Sequence, residues 1–364
     1  MTDASRKEQV YRLIRADPFI SQQELAERLG LSRSAVAGHI AGLTREGRLL
    51  GRAYVLPNDR PVLCIGGANI DRKMRSAQRL QMGTSNPVSQ QESWGGVARN
   101  LAENLARLGL PTALLTAVSD DAAGRALLAH AESAGIDPRG SLQAAGMATG
   151  SYTAILDDDG GLVLALAHME ALDGLTPDFL AARAAQRQAA AMTIADLNLP
   201  ADSVRMLLAD AARGGSPLVL VAVSRPKMSR LPADLAGLRL LVLNEGELEE
   251  RAGRRLDTPA KIVRACRALR DQGVQDIVVT RGADGLIHTT ADGVAELPAP
   301  RVPVVDVTGA GDALAAGICW SLHRDGDNLA LACRRGLALA ARTVQSPHSV
   351  VPDPEPSLLA AIAA

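Results

Sequence analysis

The sequence predicts an α/β protein, a three-layer sandwich with a mostly parallel sheet and a small β lid, preceded by a small helical domain. From residue 62 onward, short apolar runs alternate with segments rich in Ala and Leu, which is the pattern of parallel strands covered by helices on both faces. Residues 150–169 instead alternate with period two around a turn of Asp and Gly, so they predict a lid hairpin. At 364 residues the chain is long enough for two domains.

Residues 1–57 predict three helices followed by a β wing. Ser21 and Glu24 have the spacing of a capping box that begins the second helix, and Ser32 is placed to cap the third. The wing is predicted between residues 47 and 56. The helices carry apolar stripes at Val10, Leu13 and Ile14, at Leu25 and Leu29, and at Val36, Ile40 and Leu43.

The second domain is predicted to occupy residues 58–364, after a turn-rich joint. Its apolar runs indicate buried strands because they are short and alternate with helical segments. These runs are VLCIGGA (62–68), ALLTAV (113–118), LVLVAV (218–223), LLVLN (240–244) and DIVVT (276–280).

Composition limits the partners and the compartment. The net charge of −1 gives no chain-wide attraction to nucleic acid or membrane, although residues 1–60 carry +3 and the remainder −4. No apolar run reaches ~18 residues and the N-terminus lacks the apolar core of a signal peptide, so we expect a cytoplasmic protein without a membrane partner. The cysteines form no CxxC pair and are expected to be buried thiols: Cys64, Cys266, Cys319 and Cys333.

The most informative segment is DVTGAGDAL, residues 306–314. It follows the apolar run VPVV and precedes a helical stretch, so it predicts a strand-to-helix turn. Glycines there let the backbone N–H groups of Gly309, Ala310 and Gly311 converge beside the positive end of the helix dipole, which makes an anion hole. Asp312 is then placed to accept a proton from a substrate hydroxyl. A Gly-rich turn with a capping Asp is the alternative interpretation.

This segment resembles the C-terminal signature of the PfkB carbohydrate kinases, a ribokinase-like family. The second family signature is matched upstream by GGVARNLA, residues 95–102. The resemblance covers about residues 62–355, essentially the whole α/β part. It implies a ribokinase-like three-layer sandwich that transfers phosphate from ATP to an alcohol group of its substrate.

The resemblance also implies residues for ATP and Mg²⁺. Asn244 and Glu247 match a family motif, which implies that they organise phosphate and the water around Mg²⁺. Thr280, Gly282 and Gly285 match the loop that lies beneath ATP. Without the family, the first segment is a solvated acidic turn and the second an ordinary tight turn.

A monovalent-cation site is implied beside the anion hole. Asp306 and the carbonyl group of Thr308 match positions that hold such an ion in ribokinase-like enzymes, with Ser349 as a third candidate. The cofactors expected from the resemblance are therefore ATP, Mg²⁺ and K⁺.

The sugar end of the substrate site is predicted after the first strand. Asn69 and Asp71 are two residues apart on a strand end, so their side chains point the same way. A carboxylate accepts hydrogen bonds from two vicinal hydroxyls at once, and the family's N-x-D motif implies a grip on a ribose diol; an Asp ending a strand is otherwise often a cap. Gly95 and Gly96 are expected to let the backbone approach the sugar, and Asn100 to add a polar contact.

A short turn with the sequence Thr-Ser-Asn-Pro, residues 84–87, suggests which base the substrate carries. Together with GGANID and GGVARN it resembles the pseudouridine kinases, which implies that Ser85 and Asn86 read the edge of a uracil. Without the family it is a plain turn. Three other segments resemble the same subfamily: the lid hairpin, Asp196-x-Asn198 and Ser224-x-x-Lys227.

The predicted function is ATP-dependent phosphorylation of the 5′-hydroxyl of a nucleoside substrate, pseudouridine. The lid departs from the subfamily at Ala167 and His168, and Ala222 replaces its usual Asp, so another ribosyl substrate such as ribose, adenosine or inosine is an alternative. A transcription regulator with a kinase-like sensor domain is an alternative from another class. Asp312 and Glu247 argue against it, because a sensor needs no general base.

The N-terminal domain resembles the winged helix-turn-helix of bacterial regulators. Arg33 and Ser34 open its third helix, while Arg48 and Arg52 lie on the predicted wing. These side chains are expected to contact the phosphates of duplex DNA. The alternative is a solvated basic face on a module that serves dimerisation. We expect the chain to form a homodimer.

Overall fold

A computed structural model describes residues 3–16, 20–49 and 60–363 of the chain. The chain divides into two compact units, Met1–Pro61 and Val62–Ala364. Most of the predicted β wing, Arg52 within it, and the predicted domain joint lie outside the described residues.

Three helices form the described part of the first unit: α1 (Asp3–Ala16), α2 (Gln22–Leu29) and α3 (Arg33–Arg45). The predicted capping box is confirmed, because Glu24 N donates to Ser21 Oγ and Ser21 N donates to the Glu24 carboxylate, both at 3.1 Å. Helix α2 ends at Gly30 with φ +61°, a left-handed conformation that favours glycine. Ser32 caps α3 through Ala35 N, as predicted. The apolar stripes pack into one core: Val10, Ile14, Ile20, Leu25, Ala26, Val36, Leu43 and Leu49.

Within residues 60–363, nine strands form the central sheet: β1 (Val62–Ile65), β4 (Thr112–Leu115), β6 (Ile136–Asp137), β10 (Met192–Asp196), β11 (Leu218–Val221), β12 (Leu238–Asn244), β13 (Asp276–Thr280), β14 (Leu286–Thr289) and β15 (Val294–Leu297). Their order is β15-β14-β13-β12-β11-β10-β1-β4-β6. All pairs are parallel except those of β14, so the predicted mostly parallel sheet is confirmed. The strand order reverses direction between β1 and β10, and such a switch point is where ligands bind in open α/β sheets.

Helices cover both faces of this sheet: α4 (Val97–Arg107), α5 (Ala122–Ser133), α6 (Pro177–Ala181), α7 (Ala184–Ala189), α8 (Ala201–Ala212), α9 (Glu245–Ala252), α10 (Pro259–Asp271), α11 (Ala310–Asp325), α12 (Leu329–Val344) and α13 (Pro356–Ala361). Side chains of α4, α11 and α12 share one core with the sheet, and side chains of α8, α9 and α10 share the other. The four cysteines are buried and free, as predicted. Across the described ranges, no helix has both the length and the apolar character needed to span a membrane.

A second sheet of four strands, also within residues 60–363, forms the lid sheet: β2 (Asn69–Ser76), β3 (Val88–Gly95), β8 (Ser151–Leu156) and β9 (Leu162–His168). The predicted lid hairpin is confirmed, because β8 and β9 are antiparallel neighbours. Strand β2 pairs with β3 and β8, which places Asp71 opposite Ser93 and Tyr152. A small parallel pair, β5 (Ala117–Ser119) and β7 (Leu142–Ala144), completes the strands of residues 60–363.

The apolar run VPVV, residues 302–305, was expected to be a strand leading into α11, and this prediction is wrong. The run has no regular secondary structure, and Val304 and Val305 are exposed. Pro303 has no N–H to donate to a sheet, which disfavours a central strand there. Val302 and Val304 instead line a cavity described below.

Candidate active site

Helix α11 begins at Gly309, the first residue of the predicted anion hole. Gly309 has φ +81°, and a Cβ atom there would collide with the carbonyl oxygen of Ser349, so only glycine fits without strain. Among the described residues, no side chain caps α11. Gly311 is exposed, and a Cβ atom there would meet nothing within 4 Å. The positive end of a 16-residue helix therefore faces open space at Gly311.

Asp312 lies in the first turn of α11 and is half-buried. Asn100 Nδ2 donates a hydrogen bond to Asp312 Oδ2 at 2.7 Å. Burial is the largest effect and raises the pKa of Asp312 to about 7. The Asn100 hydrogen bond and the charge of Arg99 oppose this rise, and the charges of Asp196 and Asp71 add to it. A carboxylate with this pKa accepts a proton effectively near neutral pH.

The sugar-binding prediction concerns Asn69 and Asp71, which the structure brings together. Asn69 Nδ2 donates to Asp71 Oδ1 at 2.7 Å, so the two side chains do point the same way. Burial raises the pKa of Asp71. A Cβ atom at Gly95 would collide with the Asp71 carboxylate, and one at Gly96 with the backbone of Ala68. Both glycines are therefore required for packing around Asp71 and the end of β1.

Asp196, at the end of β10, connects the GGANID segment, residues 66–71, with the GGVARN segment, residues 95–100. It is fully buried, and its Oδ2 atom accepts hydrogen bonds from the backbone N–H groups of Gly67 at 2.8 Å and Ala98 at 2.9 Å. Its Oδ1 atom accepts from Asn198 N at 2.8 Å. Asp196 thereby ties the loop before Asn69 to the first turn of α4. The sequence marked this Asp only as part of a resembling segment and assigned it no role.

Asn198 and Lys227 form a polar pair close to the end of β1. The Lys227 ammonium group contacts Asn198 Oδ1, and burial lowers the pKa of Lys227. A Cβ atom at Gly67 would approach Asn198 Nδ2 to 2.5 Å, so the amide lies against the loop that leads to Asn69. Both residues belong to segments that resemble the pseudouridine kinases, and no role was predicted for either from the sequence.

Arg99 is a buried cation beside the site that the sequence did not single out. It contacts the Glu103 carboxylate and Asn100 Oδ1, and it donates to the carbonyl oxygen of Trp94 at 2.8 Å. Because Arg99 engages the oxygen of the Asn100 amide, the amide nitrogen is turned toward Asp312. Arginine is usually a surface residue, so the sequence did not indicate that Arg99 is buried. Its position next to Asn100 in GGVARN was the one feature that pointed to the site.

A cavity of about 640 Å³ opens at the start of α11, and we call it the α11 cavity. It brings together the predicted loop residues Thr280, Gly282 and Gly285 with the predicted anion-hole residues Ala310 and Gly311. Its remaining lining is mostly apolar, including Ala299, Val302, Val304, Val307, Leu314, Leu337, Ala340 and Val344. An apolar pocket that ends at a helix N-terminus suits a ligand with a flat ring and phosphates.

Asn244 and Glu247 form the capping box of α9. Asn244 N donates to Glu247 Oε2 at 2.7 Å, and Glu247 N donates to Asn244 Oδ1 at 2.9 Å. Glu247 is buried, which raises its pKa, and Oε1 accepts no hydrogen bond among the described residues. That oxygen fits a water-mediated contact with Mg²⁺. In the described part of the chain, no cluster of three or more His, Cys, Asp or Glu is arranged to hold a metal.

The predicted monovalent-cation residues lie in the loop before α11. Asp306 Oδ1 accepts from Thr308 N at 2.9 Å and from Thr308 Oγ1 at 2.6 Å. The Lys73 ammonium group contacts Asp306 Oδ2 and lies 3.3 Å from Thr308 Oγ1. Burial opposes ionisation of Asp306, but these hydrogen bonds outweigh it and hold its pKa below the ordinary value. Ser349 Oγ instead donates to Trp94 O at 3.3 Å.

Ser85 and Asn86 lie in the turn between β2 and β3, at the end of β2 opposite to Asp71. Five strand residues separate that end from Asp71, a length of about 17 Å. The Asn86 amide donates to Gln81 O and Thr84 O and accepts from Gln81 N, so it holds its own turn. The sequence suggested a place near the sugar site because the turn lies between Asp71 and the Gly95-Gly96 pair along the chain, but β2 and β3 extend away from Asp71 before they reach the turn.

The predicted DNA-binding residues of the first unit differ in their surroundings. Arg33 and Ser34 are exposed in the first turn of α3. Arg48 donates to the Glu8 carboxylate at 2.9 Å and lies 3.9 Å above the ring of Tyr11, so it also supports the fold of the unit. The first unit therefore presents Arg33 and Ser34 to solvent at the start of its third helix.

Comparisons with known proteins agree with this geometry. The family model for PfkB carbohydrate kinases matches residues 59–356, and a model described as winged helix-turn-helix DNA-binding matches residues 5–49. An uncharacterized sugar kinase of Escherichia coli, YeiI, is 33% identical over 337 residues, 90% of this chain and 92% of that protein. The pseudouridine kinase of Escherichia coli is 32% identical over 262 residues, 71% of this chain and 83% of that protein.

The fold also matches a solved structure. The ribokinase of Arabidopsis thaliana, complexed with ribose and ATP, superposes with a TM-score of 0.72 over 84% of this chain and 99% of that chain, at 22% identity. The ribokinase-like α/β fold predicted from the sequence is confirmed.

Proposed function

Because the chain belongs to the PfkB family of carbohydrate kinases, phosphotransferases with alcohol acceptors, we propose that it transfers the γ-phosphoryl group of ATP to the 5′-hydroxyl of pseudouridine. The products are pseudouridine 5′-phosphate and ADP. One observation carries the proposal: the Asp312 carboxylate, held by Asn100, lies in the first turn of a helix that lines the α11 cavity through Ala310, Gly311 and Leu314.

The nucleotide occupies the α11 cavity in this proposal. Gly282 and Gly285 let the loop after β13 lie flat beneath the adenosine, since both have positive φ. The phosphates extend toward the N–H groups of Gly309, Ala310 and Gly311, where the helix dipole stabilises negative charge. When bound, Mg²⁺ supplies positive charge to the phosphates, and Glu247 with Asn244 orients its water.

The acceptor lies on the lid side of Asp312. Asp71 is close enough for its charge to raise the pKa of Asp312, which supports a ribose held by Asp71 within reach of the base. Asp312 orients the 5′-hydroxyl and takes its proton as the oxygen attacks phosphorus. The lid sheet excludes water that would otherwise accept the phosphoryl group.

The preference for pseudouridine is supported by the 32% identical relative of that activity. A uracil ring presents two carbonyl oxygens and, in pseudouridine, two N–H groups. The Lys227 ammonium group and the Asn198 amide offer matching donors and an acceptor close to the loop before Asn69. Ser85 and Asn86, the residues predicted from the sequence to read the base, are the other candidates and lie beyond the end of β2 that is opposite to Asp71.

Two further parts of the proposal concern partners. The first unit binds duplex DNA through Arg33 and Ser34, with Arg48 and Arg52 on phosphates, supported by the winged helix-turn-helix match. The chain forms a homodimer through the lid sheet. Strand β9 lies at the edge of that sheet and exposes four large apolar side chains, which are Leu162, Val163, Leu164 and Leu166.

A substrate screen tests the proposed reaction. The purified chain is incubated with ATP and Mg²⁺ and with pseudouridine, uridine, adenosine, inosine or ribose, and ADP release is measured together with the mass and phosphate position of the product. Pseudouridine 5′-phosphate as the fastest product supports the proposal. Faster turnover of ribose, adenosine or inosine would show that the chain is a kinase for another ribosyl substrate. Nucleoside binding without any ADP release supports a regulator with a sensor domain.

A further inference from the structure

Lys73 brings a positive charge from the lid sheet to the loop before α11. It lies on β2 two residues after Asp71, so both side chains project from the same face of the strand. Its ammonium group contacts Asp306 Oδ2, 233 residues away in sequence, and lies 3.3 Å from Thr308 Oγ1. The resemblance to ribokinase-like enzymes assigned a K⁺ ion to these same two residues.

Both carboxylate oxygens of Asp306 already have partners in the structure. Oδ1 accepts from both the amide and the hydroxyl group of Thr308. Oδ2 is engaged by Lys73, which supplies the full charge that a monovalent cation would bring. Lys73 therefore already neutralises the negative charge of the Asp306 carboxylate. A K⁺ ion would have to displace the ammonium group or lie beside it, and like charges repel.

We propose that Lys73 is the resident cation of the Asp306–Thr308 loop, so that phosphoryl transfer by this chain needs no added monovalent cation. The loop leads directly into Gly309. The Lys73–Asp306 ion pair therefore holds the position of the N–H groups that form the anion hole. Because Lys73 is carried by the lid sheet, the anion hole is completed only when β2 is in place. Lys73 is thus a positioning residue that links the lid to the phosphate site.

The test measures kcat and KM for ATP with K⁺ or with tetramethylammonium, at a constant ionic strength of about 0.1 M so that screening is equal. This test depends on the proposed function only because it requires a substrate that the chain phosphorylates. The fastest substrate from the screen is used. The wild-type kcat is expected to agree within about twofold in the two salts. Lys73→Ala should lower kcat by about tenfold or more, since a charged hydrogen-bond partner is lost.

Added K⁺ or butylammonium should restore much of the Lys73→Ala rate, and Lys73→Arg should retain activity without K⁺. Arg72→Ala is the matched control, because Arg72 is the neighbouring cation on β2 and pairs with Glu92 at 2.8 Å. It should behave as wild type in both salts. Circular dichroism and thermal melts establish that each variant is folded.

A crystal soaked with Tl⁺ gives a readout that does not depend on the substrate. We expect no anomalous peak at Asp306 in the wild type and a peak there in Lys73→Ala. Activation of the wild type by K⁺ of more than about fivefold, or Tl⁺ bound at Asp306 in the wild type, would overturn the proposal. So would a folded Lys73→Ala protein with the wild-type rate, or one that neither cation restores. Failure of pseudouridine as a substrate changes only the assay, so the two proposals fail separately.

Discussion

Asn100 and Asp312 are 212 residues apart in sequence, and the side-chain amide of Asn100 donates a 2.7 Å hydrogen bond to the Asp312 carboxylate. The first turns of α4 and α11 meet at this bond. Since Arg99 engages the amide oxygen of Asn100, the amide nitrogen is held toward Asp312. The signature that was expected to contact the sugar therefore also orients the predicted base.

Asp312→Asn is expected to lower kcat by ~10²–10⁴, the usual contribution of a general base, while ATP affinity changes little. The amide keeps the shape of the carboxylate and loses the ability to take a proton. Asp292→Asn, a surface change, is the matched control. Steady-state kinetics and calorimetry with ATP measure the two quantities, and activity within threefold of wild type, ~0.7 kcal/mol, would remove Asp312 from the role of base.

The same variant should raise stability, more at pH 8 than at pH 5. The pKa of Asp312 is about 7 in the fold against an ordinary 3.8, so between these values the folded protein binds a proton that the unfolded chain has lost. The ionised carboxylate therefore destabilises the fold as pH rises toward 7. We expect Asp312→Asn to gain about 1–2 kcal/mol at pH 8, or roughly 2–6 °C in Tm. Equal melting shifts at both pH values would contradict the raised pKa.

Asn100→Ala should move the pH profile of kcat/KM toward higher pH. The Asn100 hydrogen bond stabilises the ionised Asp312, so its loss raises the pKa of Asp312 beyond about 7. At pH 7 the ionised fraction falls, and the rate should recover partly as pH increases. A loss of the same factor at every pH would show that Asn100 acts on packing instead.

Asp71→Ala should chiefly weaken nucleoside binding, because the acceptor of the ribose diol is removed. Loss of a charged hydrogen-bond partner costs roughly 1.5–3 kcal/mol. Asp158→Ala, at the exposed turn of the lid hairpin, is the control. Calorimetry with the nucleoside decides: an unchanged dissociation constant in a folded Asp71→Ala protein would return Asp71 to the role of a strand cap.

The full chain should bind duplex DNA with a strong dependence on salt concentration. Arg33 is exposed at the start of α3, and Arg33→Ala should reduce the slope of log K against log salt by about one. Arg12→Ala, on the exposed side of α1, should leave the slope unchanged. Selection from a genomic fragment library identifies the site, and recovery of no enriched sequence at moderate salt would favour a dimerisation module.

Local sequence signals predicted the elements of this fold well. The capping box of Ser21 and Glu24, the period-two lid hairpin and the apolar runs of the parallel strands all depend on neighbouring residues, so pattern alone indicates them. One exception is ALLTAV, residues 113–118, which is divided between β4 of the central sheet and β5 of the separate strand pair. Another is VPVV, residues 302–305, where Val302 and Val304 line the α11 cavity rather than joining a sheet. Apolarity indicates burial or ligand contact, and only Pro303 argued against a strand.

Contacts between distant residues were beyond the sequence. Nothing local pairs Lys73 with Asp306 or directs Asp196 to the amides of Gly67 and Ala98, because these contacts arise from the strand order and the lid. The placement of Asn86 was misjudged for the same reason. Position between two motifs does not fix position in space when a hairpin of two eight-residue strands intervenes.

Two variants compare the candidate readers of the base. Lys227→Met should reduce the preference for pseudouridine over uridine more than Asn86→Ala does, because Lys227 and Asn198 lie beside the loop before Asn69. Activity of both variants on free ribose, where it is measurable, serves as the control for general damage. A larger effect of Asn86→Ala would restore the turn between β2 and β3 as the base-reading element.

The ratio of kcat/KM for pseudouridine to that for uridine, measured on the wild-type chain with ATP, tests the central claim most directly. The two nucleosides share ribose and uracil, and pseudouridine alone carries a ring N–H where uridine has a C–H. An acceptor built for that N–H is left unpaired by uridine, and such mismatches discriminate strongly. We predict a ratio of at least about tenfold, equal to about 1.4 kcal/mol. Equal rates on the two nucleosides, or a clear preference for adenosine, would contradict it.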